Sequence, residues 1–390
     1  MVVETAKICY DRENKGGMHM NLSSFMPVKL ITGAGCVQAS AKELAKLGRV
    51  CLIVTGKTAA KASGALQDVT ETLANNGQSW VLFDGIGQNP KLTDCMAAAE
   101  RAIAAGADFV LGIGGGSALD AAKCIAVLAA NPGMTQAELY AFDWANNPLK
   151  IVAVGTTAGT GSEVTKVSVV TTPDGRKKSF HHEAIFPALS LGDPNYTMSL
   201  PPMVTRATAV DVLAHCAESF FSRSANHISQ CYAVEGIRLL LSVFRTMAEN
   251  GCDNLDYETR EKLYCASIYG GLAINVTGTC FPHTMGYLLT ESFVIPHGTA
   301  CALFQRDFYQ YNKAVVPELA AGYLERIGCS EKEYFFLLEK ITPPCHITMD
   351  EACISEAHSR WINNGSIAKC QGTFTPHMAD DILRRKFCKE

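Results

Sequence analysis

The amino-acid sequence predicts two domains of different class, an α/β domain with a parallel sheet followed by an all-helical domain. In the first half, short apolar runs alternate with helical patterns, which is typical of a parallel sheet covered by helices. In the second half, helical patterns follow one another and strand-like runs are nearly absent. The length of 390 residues also exceeds one average domain. We place the domains at 1–195 and 196–390, because Pro194, Pro201 and Pro202 interrupt the chain there.

The elements of the first domain follow from composition and period. Six β-rich runs are predicted as strands, at 28–32, 50–54, 80–83, 109–113, 151–154 and 167–171. Alanine-rich segments with helical period lie between them, at 39–47, 66–76, 92–105 and 118–129. Gly48, Gly77 and Gly106 follow three of these helices, and glycine is the residue that commonly ends a helix.

The second domain is predicted from longer helical patterns. They lie at 203–222, 228–250, 256–275, 315–327 and 331–339. No internal repeat and no low-complexity linker separates them. The second half therefore predicts a helical domain without a sheet of its own.

Composition limits the classes of partner. Hydrophobic residues are 48% and charged residues 18% of the chain, which suits a buried core and excludes a disordered protein. The net charge of −4, without a basic block, disfavours nucleic acid and anionic membranes as partners. Residues 1–17 lack the apolar segment of a signal peptide, and no run is long enough to cross a membrane. We therefore expect a cytoplasmic protein whose 16 cysteines, without any C-x-x-C pair, are reduced and mostly buried.

A glycine-rich turn, Gly114-Gly115-Gly116-Ser117, follows the fourth predicted strand and opens the next helix. Glycines let the backbone approach a phosphate closely, and the N–H groups and dipole of the helix then hold its charge. Ser117 is expected to cap the helix or to donate to the phosphate. A purely structural turn needs only one or two glycines, so we interpret this turn as a phosphate site, although its spacing is not G-x-G-x-x-G.

A second polar loop, at 155–165, follows the fifth predicted strand and interleaves glycine with threonine and serine. Small hydroxyl residues offer donors to a pyrophosphate, a ribose or an amide. Taken alone, the loop could equally be an ordinary Ser/Thr turn. Beside the first turn, we interpret it as the other wall of one nucleotide cleft.

Four side chains are candidates for a metal site. Asp211 and His215 are four residues apart in a predicted helix and project from one face. His283 follows a glycine-containing break, and His297 lies in a stretch expected to be a loop. One carboxylate and three imidazoles suit Fe²⁺ or Zn²⁺. Each histidine alone would more simply be a structural residue, and the spacing by itself leaves both interpretations open.

Together, these motifs resemble the iron-containing (group III) alcohol dehydrogenase family, over about 25–385. The stretch 114–123, GGGSALDAAK, is similar to the cofactor signature of that family, and 156–165, TTAGTGSEVT, to its second signature. Asp193-Pro194, with Pro201-Pro202 after it, resembles the family's domain junction. The residues that match its four metal ligands are Asp211, His215, His283 and His297.

The resemblance implies fold, chemistry and roles. The fold is a dehydroquinate synthase-like pair of domains, nucleotide-binding and then helical, with one divalent metal, Fe²⁺ or Zn²⁺, between them, in a homodimer. The reaction is hydride transfer between NAD(H) or NADP(H) and an alcohol or aldehyde, with the metal polarising the substrate oxygen. The positions carried over as cofactor-binding are Gly114, Gly115, Gly116, Ser117, Asp120, Thr156, Thr157, Thr160 and Lys177.

Cofactor choice is expected to depend on Gly56 and Lys57, after the second strand. An acidic residue at Gly56 would repel a 2′-phosphate, and its absence beside a lysine allows NADPH as well as NADH. The residue before Thr156 is usually proline in the family, so Gly155 is expected to loosen that loop.

The substrate pocket is expected to include Ile274, Tyr287 and Lys166. Tyr287 stands where many members carry a histidine, which puts a histidine proton relay in doubt and makes Tyr287 itself a candidate. Lys166 could attract an aldehyde with a sulfonate or phosphonate group, or it could simply be a surface lysine. His181 and His182, next to Lys177, are interpreted as a solvated basic loop.

Two other functions share some of these features. A dehydroquinate-synthase-like lyase shares this architecture, but its charged substrate needs basic residues, and 277–295 contains no lysine or arginine. A non-catalytic nucleotide-binding protein would be expected to lack a metal ligand, whereas all four are present. The sequence therefore favours a metal-dependent oxidoreductase.

Overall fold

A computed structural model of the chain describes residues 22–388. The predicted absence of a signal peptide at 1–17 lies outside the described residues. In the described part, the eight strands are β1 Lys29–Thr32, β2 Val50–Thr55, β3 Ser79–Phe83, β4 Phe109–Gly114, β5 Lys150–Gly155, β6 Val167–Thr171, β7 Lys177–His181 and β8 Leu189–Gly192. The first seven helices are α1 Cys36–Ala39, α2 Ala41–Ala45, α3 Ala59–Ala62, α4 Ala65–Asn75, α5 Leu92–Ala105, α6 Gly116–Ala130 and α7 Gln136–Ala141.

Six strands form one parallel sheet in the order β1-β8-β5-β4-β2-β3. The central strands are apolar along their length because helices cover both faces of a parallel sheet. One face packs on α5, α6 and the β6–β7 hairpin, and the other on α1 to α4. The carboxyl ends of β2, β4 and β5 lie side by side, which brings Gly56, Gly114 and Thr156 to the same edge of the sheet.

The predicted α/β class is confirmed, and four features differ from the prediction. The sixth predicted strand, β6, does not join the sheet but pairs antiparallel with β7, from Val167 with His181 to Thr171 with Lys177. His181 and His182 are exposed, as predicted for a solvated segment, but the predicted loop is wrong, because His181 is the last residue of β7. Phe180 is the one buried residue of this strand. The helix predicted at 39–47 is two short helices, and β8, which was not predicted, lies between β1 and β5.

The second half is helical, as predicted. Its helices are α8 Pro202–Phe221, α9 His227–Asn250, α10 Tyr257–Thr277, α11 Phe281–Phe293, α12 His297–Ala302, α13 Gln305–Val315, α14 Pro317–Ile327, α15 Glu331–Ile341, α16 Glu351–His358 and α17 Pro376–Phe387. Helix α8 is the centre of this half and packs against α9, α10 and α12. A helix enclosed on all sides is apolar around its circumference, so the polar side chains buried on α8 need a specific partner.

The junction of the two halves is made by a short 3₁₀ turn, Pro194–Thr197. Asp193 caps this turn by accepting from the N–H of Asn195 at 2.9 Å, and it also accepts from the N–H of Gly35 at 2.7 Å. The hydrophobic core of the helical half includes Ala158 and Val164 from the second polar loop. The boundary at 195/196 stays a prediction.

Two findings concern the described residues as a whole. In 22–388, no helix is both long and apolar enough to span a membrane. Every cysteine described there is a free thiol, and the majority are buried, with Cys231 an exposed exception.

Candidate functional site

The glycine-rich turn connects β4 to α6 as the sequence predicts. Gly115 is the residue before the helix and provides no side-chain cap, so the first N–H groups of a 15-residue helix are free to hold an anion. The expectation that Ser117 caps the helix is wrong, because the helix already begins at Gly116. The Ser117 hydroxyl instead accepts from the N–H of Asn89 at 3.3 Å.

The second polar loop lies directly against this turn. A Cβ atom on Gly115 would lie 2.8 Å from Oγ1 of Thr157, and one on Gly116 would lie 2.6 Å from Cγ2 of Thr160. The N–H of Thr156 donates to the carbonyl of Gly114 at 2.9 Å. The two loops therefore contact each other directly, and glycine at 115 and 116 makes room for this contact.

Asp120 and Lys123, on the first turns of α6, fix the second loop. Asp120 accepts from the Ser162 hydroxyl at 2.6 Å and from the N–H of Val169 at 3.0 Å. The fully buried Lys123 ammonium donates to Ser162, Thr165 and Val167, with distances of 2.8–3.2 Å. Sequence reasoning gave Asp120 a cofactor role and gave Lys123 none, whereas both hold this loop in place.

Gly155, at the end of β5, does not loosen the loop. A Cβ atom there would overlap the Glu163 carboxylate and the Tyr264 hydroxyl, which are hydrogen-bonded to each other at 3.0 Å. Glycine at this position makes room for a buried contact between the loop and α10. The expected loosening is therefore wrong for a steric reason.

Gly56 and Lys57 lie just beyond the carboxyl end of β2. Gly56 is half-buried and Lys57 is exposed. A Cβ atom on Gly56 would lie 3.1 Å from the carbonyl oxygen of Ile86, a tight contact that a small shift would relieve. Both residues follow the carboxyl end of β2, and their role in cofactor choice stays a prediction.

A cluster of metal-ligating groups lies in the helical half. One ligand atom from each of four residues lies within 4.8 Å of the others: Asp211, His283, His297 and Cys301. Nε2 of His283 is 3.7 Å from Oδ1 of Asp211. Both atoms are buried and, within residues 22–388, neither has a hydrogen-bond partner. Buried polar atoms left without a partner are costly, and a bound cation would satisfy them.

Three helices bring these groups together. Asp211 is on α8, His283 is in the first turn of α11, and His297 begins α12. His297 was expected in a loop, but it is the first residue of the short helix α12, and the loop before it ends at Pro296. Gly298 lets α12 approach α8, because a Cβ atom there would lie 2.6 Å from Cβ of Asp211.

His215 differs from the other three expected ligands. It lies one turn beyond Asp211 on α8, but it is not a member of the group within 4.8 Å. Its ring stacks on that of His283 with the centroids 4.7 Å apart. Its Nδ1 is buried and has no partner in the part of the chain that the structure describes. His215 therefore borders the cluster with a free ring nitrogen.

Glu218 was missed by the sequence analysis and holds His283 in place. The fully buried carboxylate contacts Nδ1 of His283 at 2.7 Å. It also accepts from the N–H of Cys280 at 2.7 Å and from the Gln305 amide at 3.1 Å. This contact places the proton of His283 on Nδ1, which leaves Nε2 free to bind a metal.

Tyr287 and Lys177 lie next to the cluster. The Tyr287 ring stacks on His297 with the centroids 5.1 Å apart, and Nζ of Lys177 is 5.2 Å from the centroid of Tyr287. Burial raises the pKa of Tyr287 and lowers that of Lys177, so the phenol keeps its proton at neutral pH. Cys301, Asp120 and Asp211 oppose this lowering of the Lys177 pKa, and the contact with Tyr287 places the Lys177 ammonium beside the metal cluster.

Lys166 and Ile274, both predicted for the substrate pocket, lie around the C-terminal end of α10. The Lys166 ammonium is 3.7 Å from the Glu183 carboxylate. The backbone N–H of Lys166 donates to the side chain of Asn275, the neighbour of Ile274, at 3.4 Å. Lys369 was not predicted: its ammonium occupies the space that a side chain at Gly278 would need. Burial, then Lys369 and Lys166, lowers the pKa of the nearby His181.

This geometry defines a class of protein. The glycine-rich turn between β4 and α6 is suited to a nucleotide, and a buried cluster of carboxylate and imidazole groups is suited to a cation. Lys177 lies beside this cluster, next to Tyr287. No general base paired with a serine or cysteine nucleophile is needed for a reaction in which a metal and a nicotinamide act together. The fold and the site thus define a metal- and nucleotide-dependent oxidoreductase.

Comparison with known proteins gives the family. The model of the iron-containing alcohol dehydrogenase family matches 27–194, and that of its C-terminal domain matches 205–334. The chain belongs to the iron-containing alcohol dehydrogenase family. The predicted fold class and the predicted NAD(P)-linked, metal-dependent alcohol oxidoreductase are thereby confirmed.

Several relatives support this membership. Alcohol dehydrogenase 4 of Schizosaccharomyces pombe is 31% identical over 78% of this chain and 74% of its own length. The sulfoacetaldehyde reductase of Bilophila wadsworthia is 32% identical over 77% of this chain and 79% of its own. The solved sulfoacetaldehyde reductase of Bifidobacterium kashiwanohense in complex with NAD⁺ is 27% identical, with a TM-score of 0.83 over 95% of this chain and 99% of that one.

Proposed function

We propose that this chain interconverts a short-chain aldehyde and its alcohol at a divalent metal held by Asp211, His283 and His297. The observation that supports this most is the convergence of buried ligand atoms without partners, beside Tyr287 and Lys177. The free Nδ1 of His215 supports this residue as a further ligand after a side-chain rotation.

Each part of the site has its own role in the proposed reaction. When bound, the metal polarises the substrate oxygen and the nicotinamide exchanges hydride with the adjacent carbon. The first turns of α6 hold the pyrophosphate, and the loop at 155–165 lies where the nicotinamide half must follow. Tyr287 keeps its proton and donates a hydrogen bond toward the substrate oxygen. Lys177 lies next to Tyr287 and supplies a second donor, to the cofactor ribose or to the substrate.

Metal analysis with a scan of short aldehydes tests this function. We expect His283→Ala to lose most of its bound metal and its reductase activity with both NADH and NADPH, because the remaining side chains, Asp211, His215 and His297, cannot enclose the ion. His227→Ala, at the exposed start of α9, is the control and should change neither. Full metal content and activity in His283→Ala would contradict the proposal.

A second candidate is an aldehyde that carries an anionic group. It is favoured by the basic groups around the end of α10: Lys166, His181 and Lys369. Glu183 is the one carboxylate paired with these side chains in the described residues, and its own side chain is 60% exposed. Two ammonium groups opposed by so little negative charge suit a sulfonate or a phosphonate.

The ratio of kcat/KM for sulfoacetaldehyde to that for propanal separates the two candidates. If the anion binds here, Lys369→Ala and Lys166→Ala should each lower this ratio roughly tenfold or more, the scale of a charge-assisted hydrogen bond. Lys178→Ala is the matched control, because that ammonium lies over the ring of Tyr140 instead. If the ratio of kcat/KM for the two aldehydes were the same in all variants, the anionic candidate would be refuted and the site would be one for neutral aldehydes.

The cytoplasmic location and the homodimer stay predictions. Neither the contacts within one chain nor family membership bears on them.

A further inference from the structure

Glu291 lies on α11 together with two residues of the site. It follows Tyr287 by four residues and His283 by eight, so the three side chains project toward one side of the helix, about one turn apart. Only 11% of the Glu291 side chain is exposed. A carboxylate so largely removed from water needs a partner for each oxygen, because an unpaired buried charge is costly.

The two partners of this carboxylate come from distant parts of the chain. Oε1 accepts from the backbone N–H of Lys177, the first residue of β7, at 2.9 Å. Oε2 accepts from Nη1 of Arg360, in the turn after α16, at 2.6 Å. The arginine balances the charge of the carboxylate, and its own side chain is 20% exposed. Glu291 therefore connects β7, α11 and the turn after α16 through one side chain.

The β6–β7 hairpin is also fixed to the α/β half of the chain. Its buried residues pack among those of α5 and α6. The N–H of Thr171, which is opposite Lys177 in the hairpin, donates to the carbonyl of Pro90 at 2.7 Å. The hydrogen bond at Lys177 is thus a direct link between the α/β half and the helix that carries His283 and Tyr287.

We infer that Glu291 is a positioning residue for Lys177, which it holds beside Tyr287 by accepting from the Lys177 backbone N–H. The inference rests on the proposed function, in which Lys177 donates to the cofactor ribose or to the substrate. Nζ of Lys177 is 5.2 Å from the centroid of Tyr287, which is one helical turn before Glu291. Both oxygens of Glu291 have protein donors, so its effect on the reaction passes through Lys177.

A double-mutant cycle in kcat tests this role, because the effects of two residues that act through one another do not add. Glu291→Met keeps the length of the side chain and removes the acceptor. We expect it to lower kcat for aldehyde reduction roughly tenfold or more, since a misplacement of about 1 Å can cost about 100-fold in rate, while the zinc content stays that of the parent. In a Lys177→Met background, the same change should lower kcat by no more than about twofold.

Glu333→Met is the matched control. Glu333, on α15, also pairs with an arginine, and its Oε1 is 2.7 Å from Nε of Arg245 on α9. This pair includes no residue of β7 or α11. We expect the parental kcat in this variant, which separates the loss of any glutamate–arginine pair from the loss of the contact with Lys177.

The possible results distinguish positioning from packing and from failure of the reaction itself. An equal loss of kcat from Glu291→Met in both backgrounds would make Glu291 a packing residue and overturn the inference. Parental kcat in Glu291→Met or in Lys177→Met would also overturn it and would leave the metal site and the reaction in place. If Glu291→Met did not fold, Glu291→Asp, which keeps the charge and draws the acceptor back by one methylene group, would decide in the same two backgrounds. A parent protein without aldehyde reductase activity would refute the proposed function and this inference with it.

Discussion

Replacing Glu218 with glutamine should weaken metal binding without removing any group that touches the metal. The two carboxylate oxygens of Glu218 accept from three donors, on His283, Gln305 and Cys280. An amide of the same shape has one acceptor oxygen and one NH₂ group, which can only donate. In either orientation of the amide, at least one buried donor faces another donor.

The size of the effect follows from which donor loses its partner. If the amide oxygen faces His283, the N–H of Cys280 is left unpaired, which costs about 1–3 kcal/mol of stability. If the amide nitrogen faces His283, the ring must change its tautomer and Nε2 carries the proton that a metal would have to displace. Loss of such a supporting contact typically weakens metal binding 10–100-fold, or about 1.4–2.7 kcal/mol.

The assay is competition between the protein and a chelator for zinc at one fixed pH. Glu163→Gln is the control, because Glu163 is also buried. Its carboxylate accepts a hydrogen bond from the Tyr264 hydroxyl, and the oxygen of a glutamine amide can accept the same bond. We expect the control to bind zinc as the parent does. Parental zinc affinity in Glu218→Gln, with the fold intact by circular dichroism, would refute the argument that Glu218 orients His283.

Three further predictions concern the nucleotide side of the cleft. Gly116→Ala should weaken NAD(P)H binding, measured by cofactor fluorescence, because the new Cβ would lie 2.6 Å from Cγ2 of Thr160. Adding Thr160→Gly should restore part of the affinity. Unchanged affinity in Gly116→Ala would show that this position does not affect the cofactor site. Gly56→Asp should cost NADPH about 1–3 kcal/mol relative to NADH by opposing the 2′-phosphate, and an unchanged ratio of the two dissociation constants would place discrimination elsewhere. Burial lowers the pKa of Lys123 from 10.5 to about 8, so the folded chain loses this proton before the unfolded chain does, and the free energy of unfolding should rise from pH 8 to 10.5 by on the order of 3 kcal/mol. Lys123→Met should lack this rise in urea unfolding, and an equal rise in both proteins would assign it to other groups.

The class of fold and the position of the nucleotide turn could be predicted because they depend on local patterns. Short apolar runs and glycines that follow helices identify five of the six strands of the sheet and the long helices. The β6–β7 hairpin was missed because its second strand is rich in lysine and histidine. The turn Pro173-Asp174-Gly175 between the two strands was the available signal.

The metal side was only partly predictable. Asp211 and His215 are visible as a pair at helical spacing, and Glu218, seven residues after Asp211, lies on the same face of α8. That third position could have suggested a supporting carboxylate. Cys301 was missed for a different reason. Because 297 was assigned to a loop, the spacing of four residues between His297 and Cys301 did not indicate a shared helix face, and Cys301 is one of 16 cysteines in the chain.

The contact between the second polar loop and the helical half explains why several glycines of that loop need not touch a cofactor. A Cβ atom on Gly159 would lie 2.7 Å from Cβ of Thr208, which is three residues before Asp211 on α8. One on Gly161 would lie 2.5 Å from Cα of Gly271 on α10. The wall of the nucleotide cleft is thus fixed directly against the helix that carries a metal ligand. Hydride transfer depends steeply on the distance between reacting atoms, so small residues here set the spacing between cofactor and metal.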